Sequence, residues 1–233
     1  MRRASALLLV CSVLGLTACK SQPTRPLPAE NYEVAAADPV KMQQIKTEAI
    51  EALLEQGQYY AALAHIEAQK QQTRDDPEVL YLEAETRRHL KQRDQAEALY
   101  RRLMGGPLEG KAWHGIGLLT APKDLSAAIR ALRNAASRLP TDVEIRNDLG
   151  YALMEAGRYG EALPELSTAA ELAPGQLKSR NNLIVLMLLT GNQAGADQMA
   201  KQSGTSPETV KQLRSQAQVI RSQQLARSGR TPG

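Results

Sequence analysis

Gly157-Arg158-Tyr159-Gly160-Glu161-Ala162-Leu163 echoes Gly57-Gln58-Tyr59-Tyr60-Ala61-Ala62-Leu63 at an offset of 100 residues, three units of about 33. The intermediate copies are present. Ala62, Ala96, Ala128, Ala162 and Ala196 follow one another at spacings of 34, 32, 34 and 34. Four positions after each Ala stands Ile66, Tyr100, Leu132, Leu166 or, in the last copy, Ala200. A period of this length repeated five times means a stack of small supersecondary units, each burying its apolar face on the next.

The clearest copy, Arg146 to Ala173, shows what the unit is. Leu149, Gly150 and Leu153 share one face of a helix by their three- and four-residue spacing, and Ala162, Leu166 and Ala169 share a face of a second. Gly157 marks the turn between them and Pro174 ends the unit. Gly150 and Ala162 lack bulk, so we expect them to sit against each other where the two helices cross. Composition agrees with a helical core: aromatics are 3%, Phe is absent and there is one Trp, which disfavours a β-sandwich. The fold class is all-α, a helix-turn-helix solenoid.

These positions resemble the tetratricopeptide repeat (TPR), with Leu149-Gly150, Leu153, Gly157, Tyr159, Ala162, Leu166, Ala169 and Pro174 at that family's spacings. About five units fit, over roughly 43–76, 77–109, 110–142, 143–176 and 177–206. Ile50 replaces the small residue of the first unit, Arg93 the turn aromatic of the second, and the third has a turn at Ala121-Pro122-Lys123 about one residue short. Ser206-Pro207-Glu208 is a helix start, with Val210, Leu213, Ala217 and Ile220 following at helical spacing. We expect a capping helix over 207–227 that covers the last repeat, with polar, basic sequence fraying from Arg221 onward and a disordered tail over 228–233.

The other end reads as an export signal. Arg2 and Arg3 precede a mostly apolar stretch, Ala4 to Leu16, that is too short to span a bilayer, for which about 20 residues are needed. Leu16-Thr17-Ala18-Cys19 closes it and resembles the lipobox of bacterial lipoproteins, which implies a signal peptide over 1–18 and lipid on Cys19. The alternative is an ordinary signal peptide with an unrelated cysteine. Lys20 follows, where many lipoproteins retained in the inner membrane carry Asp, so the resemblance implies an outer-membrane, lipid-anchored, periplasm-facing protein. Pro23, Pro26, Pro28 and Pro39 punctuate a polar stretch read as a flexible linker over 19–41, ahead of a solenoid over 42–206.

Function is bounded by what the residues lack. Mean hydropathy of −0.38 excludes a polytopic membrane protein. The formal charge of +4 comes from 29 basic and 25 acidic residues, and loss of Arg2 and Arg3 with a signal peptide would leave 27 against 25, or +2, a poor case for a nucleic-acid partner. His65, His89 and His114 fall singly in different units, with no metal-ligand spacing. Gly115-Ile116-Gly117 follows no strand, and no nucleophile motif is present. We expect no enzyme, no metal and no cofactor.

The resemblance instead implies protein binding in a groove lined by the first helix of each unit. By that geometry Asn147, Tyr151, Glu155, Asn181 and Val185 should face the groove, with Tyr81 and His114 at corresponding places in earlier units. Asn147 and Asn181 would either pair with the backbone of an extended peptide or simply face solvent. The order lipobox, proline-rich linker, repeats and basic tail resembles the TadD-like lipoproteins of tight-adherence (Flp-type) pilus assembly. That implies a scaffold supporting the outer-membrane secretin. Pilotins of other pilus or secretion systems, and TPR lipoproteins of cell-envelope assembly or regulation, are the other readings.

Overall fold

The computed structural model describes residues 38–73 and 75–229. The signal peptide, Cys19 and most of the linker read from sequence lie outside them, as does the end of the tail. Among the described residues there are helices and no strands: α1 (Pro39–Glu55), α2 (Tyr59–Lys70), α3 (Pro77–His89), α4 (Arg93–Arg102), α5 (Glu109–Thr120), α6 (Leu125–Arg138), α7 (Val143–Glu155), α8 (Tyr159–Leu172), α9 (Leu177–Leu189), α10 (Gln193–Gln202) and α11 (Pro207–Ser228). None is long and apolar enough to cross a membrane.

Capping chemistry sets many of the starts. Asp38, Asp76, Asp124, Asp142 and Ser206 each accept a backbone N–H of the first turn they precede. Asp38 therefore starts α1 inside the stretch read as linker. Links of three residues join the helices of four pairs, and in three of these, α1–α2, α7–α8 and α9–α10, Gly57, Gly157 and Gly191 turn the chain at positive φ. Between α3 and α4 the same place is held by Lys91 at φ 63°, the one non-glycine residue with positive φ among those described. The α5–α6 link is different. Pro122 cannot extend α5, and the non-helical link Ala121 to Asp124 has four residues, while Gly117 and Leu132 are 15 apart against 16 for Gly150 and Leu166. The unit is shortened in α5, not in the turn as the sequence suggested.

Each pair packs on the next, so α3 lies on α2, α5 on α4, α7 on α6 and α9 on α8. Ala62, Ala96, Ala128, Ala162 and Ala196 are all buried on this seam. Over Gly150 the structure places Leu166, not Ala162: a Cβ there would come within 2.6 Å of the Leu166 side chain. Ala162 lies one turn earlier in α8, so the bulk matched by the missing side chain is leucine.

Buried residues gather in one large cluster running from Ile129 to Ile220 and two smaller ones around α1–α3 and α3–α5. The helix α11 does not continue the stack by packing between α9 and α10. It lies along α9, burying Leu213, Ala217 and Ile220, and reaches back to the end of α7. Fraying from Arg221 is not what the structure shows. Its guanidinium donates to Leu188 O and Leu189 O at 3.5 and 3.2 Å, and the helix continues to Ser228.

Candidate functional site: the face of the first helices

The first helices α1, α3, α5, α7 and α9 form a face whose two ends differ. At the α7–α9 end Asn147 is only 1% exposed. Asn182 Nδ2 donates to Asn147 Oδ1 at 2.9 Å, and Asn147 Nδ2 donates to Asp148 Oδ1 at 3.1 Å. The amide is spent on joining two repeats, so Asn147 is withdrawn from any partner. Val185 is buried in the large cluster, also contrary to expectation. Both errors have one cause: a residue facing the groove in one unit becomes interior when the next first helix and α11 close over it. Asn181 remains half-buried.

The ladder continues toward the middle. His114 Nε2 lies 2.9 Å from Asp148 Oδ2, and Lys178 Nζ donates to Asp148 Oδ1 at 3.0 Å and to Glu144 at 2.5 Å. Burial by itself would raise the Asp148 pKa, but the His114 hydrogen bond and the Lys178 charge overcome it and hold the carboxyl below its ordinary value. His114 is thus a linker between α5 and α7, not an open contact residue.

Tyr151 and Glu155 lie under α11. Burial pushes the Tyr151 phenol up, against a side-chain hydrogen bond with Gln216. Burial likewise raises Glu155, partly offset by the nearby Arg227 charge. Gln224 Nε2 donates to Met154 O at 2.8 Å, the Tyr159 hydroxyl donates to Gln224 Oε1 at 2.6 Å, and Arg227 Nη1 donates to Glu155 O at 3.0 Å. Sequence reasoning missed Arg221, Gln224 and Arg227. Their three-residue spacing on one side of α11 was the signal available.

The α1–α5 end carries a cleft of about 640 Å³, lined by Glu51, Leu54 and Glu55 of α1, Tyr59 of α2, Tyr81, Leu82, Glu85 and His89 of α3, and Lys111 of α5. Its walls are ordered by contacts. The Tyr59 and His89 rings stack at 4.7 Å with 12° between planes, and Lys111 Nζ stands 5.2 Å from the centre of the Tyr81 ring. Glu85 accepts from Arg88 at 2.5 Å and from the Tyr100 hydroxyl. Burial opposes its charge, yet the Arg88 hydrogen bond keeps its pKa below the ordinary carboxylate value. Burial, then the Arg88 charge, lowers the His89 pKa, and Arg88 Nη2 donates to its Nε2 at 2.9 Å. Glu51 and Glu55 are exposed and have no ion-pair partner among the described residues. No group of three or more His, Cys, Asp and Glu side chains is placed to hold a metal among those residues.

Comparison with known proteins is consistent with this architecture. The family described as tetratricopeptide repeat matches residues 119–180. The TPR repeat-containing protein PA4299 of Pseudomonas aeruginosa is 30% identical over 193 residues, covering 82% of this chain and 74% of that protein. Among solved structures, the thermophilic TPR protein TTC0263 of Thermus thermophilus has a TM-score of 0.61 at 20% identity, covering 76% of this chain and 98% of that one. YrrB, described as a TPR protein with an unusual peptide-binding site, has a TM-score of 0.53 at 16% identity, over 73% and 90% of the two chains. The stacked helix pairs, the buried alanine seam and the Pseudomonas relative agree, and the chain belongs to the tetratricopeptide-repeat family.

Proposed function

We propose that this chain is a non-catalytic TPR scaffold, tethered at the outer membrane by lipid on Cys19, that binds a protein partner in assembly of a tight-adherence (Flp-type) pilus apparatus, its secretin in particular. The observation that carries the reading is the order of parts: Leu16-Thr17-Ala18-Cys19 closing an export-like segment, a proline-rich stretch, and a repeat solenoid with a cleft on its first-helix face. A solenoid offers a long preformed surface and no catalytic constellation, which suits holding a partner in place. That a neighbour of the same fold is described as having a peptide-binding site supports a binding role for such a face. Two or more acyl chains on one cysteine would make the tether effectively permanent, at about 0.8 kcal/mol per buried CH₂.

The test has two parts. Palmitate labelling and membrane fractionation should show label on the wild type and none on Cys19→Ala; label retained by the variant would remove the anchor. Titration of the lipidated chain against purified secretin and other pilus proteins should then show saturable binding. If none binds, the cell-envelope assembly reading takes the place of the pilus one.

A further inference from the structure

We infer that the cleft between α1, α3 and α5 is a docking site for a basic amphipathic helix of a protein partner. The inference rests on the scaffold reading and names the class of partner that the scaffold holds. Its basis is that the same face already holds one helix of this kind. Glu51 and Glu55 stand 100 residues before Tyr151 and Glu155, the positions that α11 covers, and Glu85 and His89 precede the positive-φ turn residue Lys91 by the same six and two residues by which those pairs precede Gly57 and Gly157. The cleft is therefore the repeat equivalent of the α11 seat, without an occupant supplied by the described chain.

The seated helix shows what the face accepts. Leu213, Ala217 and Ile220 provide the apolar stripe. Arg221, Gln224 and Arg227, three residues apart, donate to carbonyl groups at the ends of α9 and α7. The C-terminus of a helix carries partial negative charge, so cationic and amide donors are favoured there. At the cleft the ends of α1 and α3 offer the same carbonyl polarity, and Glu51 and Glu55 add two exposed carboxylates with no ion-pair partner among the described residues. Lys111 is turned onto the Tyr81 ring on the opposite wall. The Tyr81 ring and Leu54 supply apolar lining. The charge asks for a cation, and the repeat geometry asks for a helix. A spacing of three or four residues between its anchors follows from one-sided contact.

A labelled peptide of residues 207–228 is the direct probe, because it carries the chemistry of the helix already seated. Fluorescence anisotropy with the full chain in mild detergent, against a detergent blank, should show saturable binding that weakens as salt is raised. The Glu51→Lys, Glu55→Lys double variant, altered only at exposed side chains, should bind about tenfold or more weakly with unchanged circular dichroism. A Val219→Pro peptide, unable to form the helix, should not bind. Equal binding by the double variant would overturn the proposal, since the peptide would then be exchanging with α11 on α7 and α9. Equal binding by the proline peptide would overturn it in favour of an extended segment, and no saturation at about 1 mM would overturn it outright. A concentration-dependent dimer lost in the double variant would reassign the cleft to α11 of a second copy. The secretin titration uses no such peptide, so failure there with the peptide bound sinks the pilus role and leaves the helix site standing.

Discussion

The two ends of the first-helix face are built from the same repeat and have been finished differently. At the α7–α9 end a single buried cluster runs through α6, α7, α8, α9, α10 and α11, and its polar groups are paired, Asn147 with Asn182 and Gln224 with Met154. At the α1–α5 end the apolar core is broken into two smaller clusters, and charge occupies the joints. Lys70 and Arg87 both hold the buried Glu83, while Arg88 and Tyr100 hold Glu85. The buried Gln69 side chain has no hydrogen-bond partner among the described residues. Repetition sets the backbone of both ends; the difference lies in whether a further helix among the described residues covers the face, as α11 does at the α7–α9 end, where the interior is apolar and its polar groups are paired. Opening free energy in a solenoid is local, so the two ends should differ in exchange protection as well as in contacts.

The largest effect should come from taking the cover away. Ile220→Ala removes a buried anchor of α11 and should cost about 2 to 4 kcal/mol within the C-terminal end. Hydrogen exchange would then rise over 207–228 and the end of α7, with α3 and α4 unchanged. A uniform rise along the chain would mean that the two ends are one cooperative unit and the comparison is wrong.

Exchanging the polar character of the two ends gives an intermediate effect of opposite sign. Asn147→Ala leaves the Asn182 amide buried without its acceptor and should destabilise by about 1 to 3 kcal/mol, whereas Gln69→Leu removes an amide that is already unpaired and should stabilise by about 1 kcal/mol. Urea unfolding of both variants measures the contrast. Loss of stability in Gln69→Leu would show that this amide is satisfied and that the N-terminal end is better finished than it looks.

The smallest expected effect is at the turns. Lys91→Gly relieves positive φ in a non-glycine residue and should add roughly 0.5 to 1 kcal/mol, while Gly157→Ala, at φ 74°, should lose a similar amount. Thermal midpoints of the two variants decide it. Matching losses would show that the Lys91 side chain contributes more than its backbone costs.

Much of this was legible in the residues because it is local and periodic. The spacing of 32 to 34 residues between Ala62, Ala96, Ala128, Ala162 and Ala196 marks a buried seam, and Gly57, Gly157 and the capping Asp and Ser residues mark where helices turn and start. These signals act within a few residues of themselves, so sequence alone carries them. It also carried the family likeness and the absence of catalytic spacing. Exposure of the face was a different matter. Asn147 and Asn181 occupy equivalent places 34 residues apart, yet one is interior and the other half-buried, because burial depends on what lies opposite in the next unit and on where α11 comes to rest. The course of α11 was set by the tertiary structure alone. Its sequence is polar past Arg221 and reads as a fraying end; only the carbonyl ends of α7 and α9, brought beside it by stacking, give Arg221, Gln224 and Arg227 acceptors that hold it helical. Helix propensity is a local quantity, but a helix's partner is chosen across 30 to 70 residues of chain, and that choice is made by packing.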